Sequence, residues 1–97
     1  MTQQYLKIVK KYILDELADE NVSIALFGSF ADSMNTSISD IDIAVIPKEK
    51  LKKWKLSLLR EKLEELTIPY SIDLVDFSMV SERFKKIALA NALWWRK

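Results

Sequence analysis

The chain contains no cysteine and no histidine. The first absence removes disulfides, thiol nucleophiles and thiolate metal sites; the second removes Ser-His-Asp chemistry and the usual zinc ligands. Any chemistry must run on carboxylates, hydroxyls, Lys or Arg, and a cation taken from solution. That repertoire suits phosphoryl or nucleotidyl transfer, where positioning and charge neutralisation do most of the catalysis. Glycine occurs once and proline twice, and there is no linker, repeat or low-complexity stretch. No charge of one sign dominates: 15 Lys and Arg against 14 Asp and Glu leave a net charge of +1. Without a global positive field, no direct contact with nucleic acid is expected. Apolar runs of membrane-spanning length are missing, and Met1-Thr2-Gln3-Gln4 lacks the basic and apolar regions of a signal peptide, so no membrane association and a cytoplasmic location are expected. With 97 residues, 49% of them hydrophobic and 30% charged, the chain has the size and composition of one globular domain spanning residues 1–97.

What is present centres on Val22 to Val45. The strand-like run Ile24 to Phe27 ends in Gly28-Ser29, and ten residues later a second strand opens with Asp40-Ile41-Asp42. Strand side chains alternate, so Asp40 and Asp42 share one face while Ile41, Ile43 and Val45 share the other. Two carboxylates this close repel unless a cation lies between them, and hard divalent ions such as Mg²⁺ take such oxygen ligands. Gly28, the only glycine, stands at a strand end, where a tight turn or close backbone approach to a ligand most needs a residue without Cβ. A short helix opening near Ser29 would add free N–H groups and a hydroxyl able to bind phosphate.

The remaining elements follow from periodicity. Leu6, Val9, Ile13, Leu14 and Leu17 recur at helical spacing and predict an amphipathic helix from Thr2 to about Asp19. A polar loop rich in turn formers separates the first strand from the second, which runs from Asp40 to about Ile46 and is stopped by Pro47. A helix is predicted over about Glu49 to Leu66, with Leu51, Trp54, Leu58, Leu59, Leu63 and Leu66 as its apolar stripe and Trp54 facing inward. Lys48, Lys50, Lys52, Lys53 and Lys55 read as a solvated face, alternating later with glutamates. A third strand spans about Tyr70 to Asp76, placing Asp73 on one face and Ile72 and Leu74 on the other. Asp73 inside an apolar strand is costly unless it lies at an edge, is paired or binds metal; beside Asp40 and Asp42 it completes a three-carboxylate cluster. Asp76 is expected to fix the turn into a last helix capped by Ser81 and ended by Asn91. The terminal pair Trp94-Trp95 suggests docking, onto this domain or onto a partner.

The order Gly-Ser, ten residues, Asp-x-Asp resembles the signature of the DNA polymerase β-type nucleotidyltransferases, and the short length resembles their minimal, MNT-type branch. Ser71-Ile72-Asp73-Leu74-Val75-Asp76-Phe77 matches that branch's later acidic strand, with Asp73 in the family's acidic position. The resemblance covers about Val22 through Ile87. It implies an α/β (α+β) two-layer fold, a small mixed sheet with helices mainly on one face. It also implies metal-dependent transfer of a nucleoside monophosphate, AMP from ATP, to a hydroxyl. Asp40 and Asp42 would bridge two Mg²⁺ ions, for which Mn²⁺ can substitute. Asp73 would bind the acceptor-side ion and take the hydroxyl proton, and Gly28 and Ser29 would hold the terminal phosphates. The branch is commonly encoded with a HEPN-domain protein, so the implied acceptor is a tyrosine of a toxic HEPN partner in a hetero-oligomer, with this chain as antitoxin. One departure stands out: where the family often has Ala-Arg-Gly, this chain reads Ala31-Asp32-Ser33, replacing a phosphate-binding arginine with a carboxylate. The alternative it favours is a binding-only antitoxin or subunit that masks its partner without catalysis.

Overall fold

The computed structural model describes residues 2–28 and 40–97. Helix α1 (Thr2–Glu16) leads through a turn into strand β1 (Val22–Phe27), and β2 (Asp40–Pro47) follows. Helix α2 (Lys53–Glu64) connects β2 to β3 (Ser71–Asp76); a 3-10 turn (Phe77–Met79), helix α3 (Glu82–Leu89) and strand β4 (Leu93–Arg96) complete the order. The strands form one mixed sheet in the order β3-β2-β1-β4, with β2 and β3 parallel and both other pairs antiparallel.

Alternation sorts the strand residues onto two faces. On the first, Val22, Ile24 and Leu26 of β1, Ile41, Ile43 and Val45 of β2, and Leu74 of β3 pack against α1 through Leu6, Val9, Ile13 and Leu17. Leu56, Leu59 and Leu63 of α2 close the same core. The α1 stripe is therefore the one its periodicity predicts, although the regular helix stops at Glu16. The second face is built around smaller side chains: Ala25 and Ala44 are register partners and share a buried cluster with Phe27 and Phe77, covered by Val80, Ala88 and Leu89. Two longer helices thus cover one face and the short α3 the other, which matches the expected α+β fold of a small mixed sheet with helices mainly on one face.

Helix α2 departs from the sequence reading. It begins at Lys53 rather than near Glu49, and its buried positions are Leu56, Leu59 and Leu63. That phase turns Trp54 outward: the residue is 58% exposed, and the Lys55 ammonium stands 5.8 Å from the ring centroid. Trp54 is not a core residue, because Leu56 occupies the sheet-facing position of the first turn and the two side chains are nearly opposite on a helix. Leu58 is likewise exposed. Near the other end, Arg60 reaches the open edge of the sheet and donates to the Leu74 carbonyl through Nε (3.1 Å) and Nη2 (2.8 Å). This pair of bonds occupies an acceptor that an edge strand would otherwise leave to water or another chain.

Asp76 Oδ1 accepts from the backbone N–H of Ser78 (2.9 Å) and from its hydroxyl (2.7 Å), so this carboxylate does fix the turn after β3. Ser81 caps α3 by accepting from Phe84 N–H at 3.1 Å. The helix ends at Leu89 with Ala90 still in the helical region, ahead of Asn91.

The terminal tryptophans belong to a fourth strand that the sequence reading did not contain. β4 pairs with β1, and its register skips a residue between the Ile24–Arg96 and Ala25–Trp94 pairs. Trp95, at the irregularity, packs onto the helix-covered core. Arg96 fastens the strand by donating to the carbonyls of Leu17 (2.8 Å) and Glu20 (2.9 Å). No helix among the described residues is long and apolar enough to cross a membrane.

Candidate active site

Parallel pairing of β2 with β3 sets Asp42 directly opposite Asp73, and Asp40 opposite Ser71. Register partners in a sheet project to the same face, so Asp42 and Asp73 stand side by side, with Asp40 two residues along β2 on that face. On the other flank Phe27 is the partner of Asp42 across β1. The carboxylates therefore sit where the Phe27 and Phe77 cluster gives way to solvent, with Asp73 on an edge strand.

Gly28 follows Phe27 and has φ of +80°, a left-handed conformation that side chains with a Cβ adopt only at a cost. Its missing Cβ also makes room for Asp42. A Cβ placed there would overlap Asp42 Oδ2 and come within 3.2 Å of its Cγ. The lone glycine is thus required twice, by the turn and by the carboxylate beside it. Ser29, and with it Asp32, Ser33 and Ser39, lies outside the described residues.

Electrostatics single out Asp42. Burial pushes its carboxyl above the usual range, and the negative charges of Asp73 and then Asp40 push it further in the same direction. Among the described residues the ion pairs are Lys11–Asp15, Lys55–Glu20 and Lys62–Glu16, so no lysine or arginine there neutralises this group. A cluster of hard oxygen donors without a protein cation is the donor chemistry that a divalent ion such as Mg²⁺ accepts. Among the described residues no three acidic side chains converge tightly enough to enclose a metal ion unaided. A cation held here would draw its remaining ligands from elsewhere, and Mg²⁺ ordinarily does so from waters and substrate phosphates. The fold thus brings Asp40, Asp42, Asp73 and Gly28 to one place.

Comparison with known proteins shows the family. Residues 9–93 match the family model described as polymerase beta, nucleotidyltransferase. A relative from Haemophilus influenzae, named probable protein adenylyltransferase MntA, is 32% identical over 79 residues, which is 81% of this chain and 68% of that protein. Among solved structures, a toxin–antitoxin complex with AMP-PNP contains a chain that superposes with a TM-score of 0.67 at 27% identity, covering 89% of this chain and 71% of that one. A complex of tri-AMPylated Shewanella oneidensis HEPN toxin with MNT antitoxin gives a TM-score of 0.64 at 26% identity, covering 98% of this chain and 71% of the matched one. The chain belongs to the polymerase beta nucleotidyltransferase family.

Proposed function

We propose that the chain is a Mg²⁺-dependent nucleotidyltransferase that moves AMP from ATP onto a tyrosine hydroxyl of a HEPN-domain partner, forms a hetero-oligomer with that partner, and so acts as its antitoxin. The observation that carries this reading is the in-register pair Asp42 and Asp73, with Asp40 on the same face and no protein cation paired to them among the described residues. Similar proteins add weight: one is named a probable protein adenylyltransferase, and another is the antitoxin in a complex whose HEPN toxin is tri-AMPylated.

Asp40, Asp42 and Asp73 would hold the divalent ions. Bound there, such ions supply charge neutralisation at the phosphates and a more acidic acceptor hydroxyl. The chain's own residues do the rest. Gly28, without a Cβ and with φ of +80°, would hold its backbone near the terminal phosphates beside the Asp42 carboxylate, and the Ser29 hydroxyl would donate to their oxygens. Asp73, on the edge strand, takes the proton of the acceptor hydroxyl. The acceptor oxygen bonds to the α-phosphorus, the bond from that phosphorus to the bridging oxygen breaks, and pyrophosphate leaves.

A label-transfer assay tests the reaction, using the chain, the HEPN-domain protein encoded beside it, Mg²⁺, and ATP labelled at either the α- or the γ-phosphate. Label on the partner from the α position alone is expected. Label from the γ position would identify a kinase. Absence of label from both, with a stable complex, would establish the binding-only antitoxin instead.

A further inference from the structure

We propose that the acceptor protein docks on the outer side of α3, against Phe84 and Ile87, through an apolar surface rimmed by acidic side chains; this surface presupposes the transfer to a partner protein put forward above. Phe84 lies 6.5 Å from the Phe27 ring and 5.8 Å from the Phe77 ring, centroid to centroid, yet remains 45% exposed. Phe27 is the register partner of Asp42. The exposed edge of Phe84 is therefore one side chain away from the carboxylate row, on the same side of the sheet. Ile87, one turn further along α3, is 66% exposed. Trp94 of β4, the partner of Ala25, extends the apolar character of this side and is also exposed. A single exposed apolar side chain needs no explanation, but several on the side that carries the reactive groups mark a contact surface.

Charge indicates what fits. Along Glu82–Leu89 the helix carries Arg83, Lys85 and Lys86 against the single acid Glu82. An apolar centre with a basic rim complements an apolar patch with an acidic rim, which sets orientation as well as affinity. Met79 stands on the 3-10 turn after β3; the remaining exposed apolar residues, Ile8 on α1, Trp54 and Leu58 on α2, and Leu93 of β4, the register partner of Leu26, belong to the opposite face of the sheet. A protein seated on them has the whole sheet between its hydroxyls and Asp73. One seated on α3 has the site at its margin.

The test is the affinity of the chain for the HEPN-domain protein encoded beside it, measured by calorimetry without nucleotide. Ile87→Glu alters a mostly exposed position, and Arg83→Glu reverses one rim charge without touching the core; thermal melts confirm that both variants fold. Each is expected to weaken binding about tenfold or more, the scale of a contact near an interface centre, while Ile8→Glu binds like the unmodified chain. When ATP is added, the two α3 variants should raise the KM for the acceptor protein and leave the KM for ATP unchanged. Unchanged binding by Ile87→Glu and Arg83→Glu, loss in Ile8→Glu alone, or no complex with the unmodified chain would each overturn the docking surface. So would self-association of the chain that Ile87→Glu abolishes, which would make the patch a contact between copies. Because binding is read without ATP, a chain that docks through α3 but transfers nothing refutes the reaction and leaves the surface standing.

Discussion

Replacing Gly28 by alanine probes the contact on which the site's geometry depends. Two costs are separable. Holding an L-residue in the left-handed region costs roughly 1–2 kcal/mol. The new Cβ also invades the space of Asp42 Oδ2, and with Cγ only 3.2 Å away the carboxylate must rotate out of its position. Driving that side chain off its rotamer adds about 0.5–1.5 kcal/mol. The smaller entropy of the unfolded alanine variant returns about 0.4–1 kcal/mol. The net expectation is a loss of roughly 1–3 kcal/mol, which for a chain of 97 residues lowers Tm by on the order of 10 °C. The two costs are told apart by repeating the substitution in an Asp42→Ala background, where only the backbone cost remains. Denaturant titrations of the four proteins should therefore give a coupling of about 0.5–1.5 kcal/mol between positions 28 and 42. Equal destabilisation in both backgrounds would refute the view that Gly28 is there to make room for Asp42.

Three further outcomes are expected. Asp42→Asn should be more stable than the parent at pH 7. The folded state raises this carboxyl's pKa, so the stability associated with its protonated form is present at low pH and lost as pH rises through the folded value. Melts from acid to neutral pH should show the difference vanishing below the ordinary carboxylate range, and a variant less stable at neutral pH would contradict the cause assigned to the shift. Arg60→Met should cost about 1.5–3 kcal/mol in denaturant titration, the value of a charge-assisted bond to a partly buried carbonyl, with Arg60→Lys recovering only part of it. Ser81→Ala removes the cap of α3 and should cost about 1 kcal/mol, read by the same titration.

Much of the site was legible because alternation is a local rule. Asp40 and Asp42 against Ile41, Ile43 and Val45, and Asp73 against Ile72 and Leu74, fix which side chains share a face as soon as the segments are strands. That Asp42 lies opposite Asp73, and not a residue away, depends on pairing between segments thirty residues apart, with α2 between them, and no local signal carries it. Gly28 was visible as the only glycine, but its second role appears only when Asp42 is placed beside it. Strand β4 escaped the sequence reading because it is four residues long and skips register at Trp95, so Trp94 and Trp95 lack a clean two-residue period. Trp54 misled for a different reason. Leu51, Trp54 and Leu58 fit a helical stripe only if the helix begins near Glu49; starting at Lys53, the sheet-facing positions become Leu56, Leu59 and Leu63. The docking side of α3 was hidden as well, since a short amphipathic helix does not announce which sheet face it will cover.

The central claim is that Asp42 and Asp73 carry out nucleotidyl transfer, whereas Asp76, three residues along the same strand, serves the fold alone. The most direct measurement is the mass of the intact HEPN-domain partner after incubation with Mg²⁺, ATP and the chain, comparing the parent with Asp42→Asn, Asp73→Asn and Asp76→Asn. An asparagine at position 76 keeps the oxygen that accepts from Ser78, so that variant should retain the turn. The account predicts a gain of one or more adenylyl groups with the parent and with Asp76→Asn, and no gain with either of the other two. Adenylylation that survives both Asp42→Asn and Asp73→Asn would contradict it.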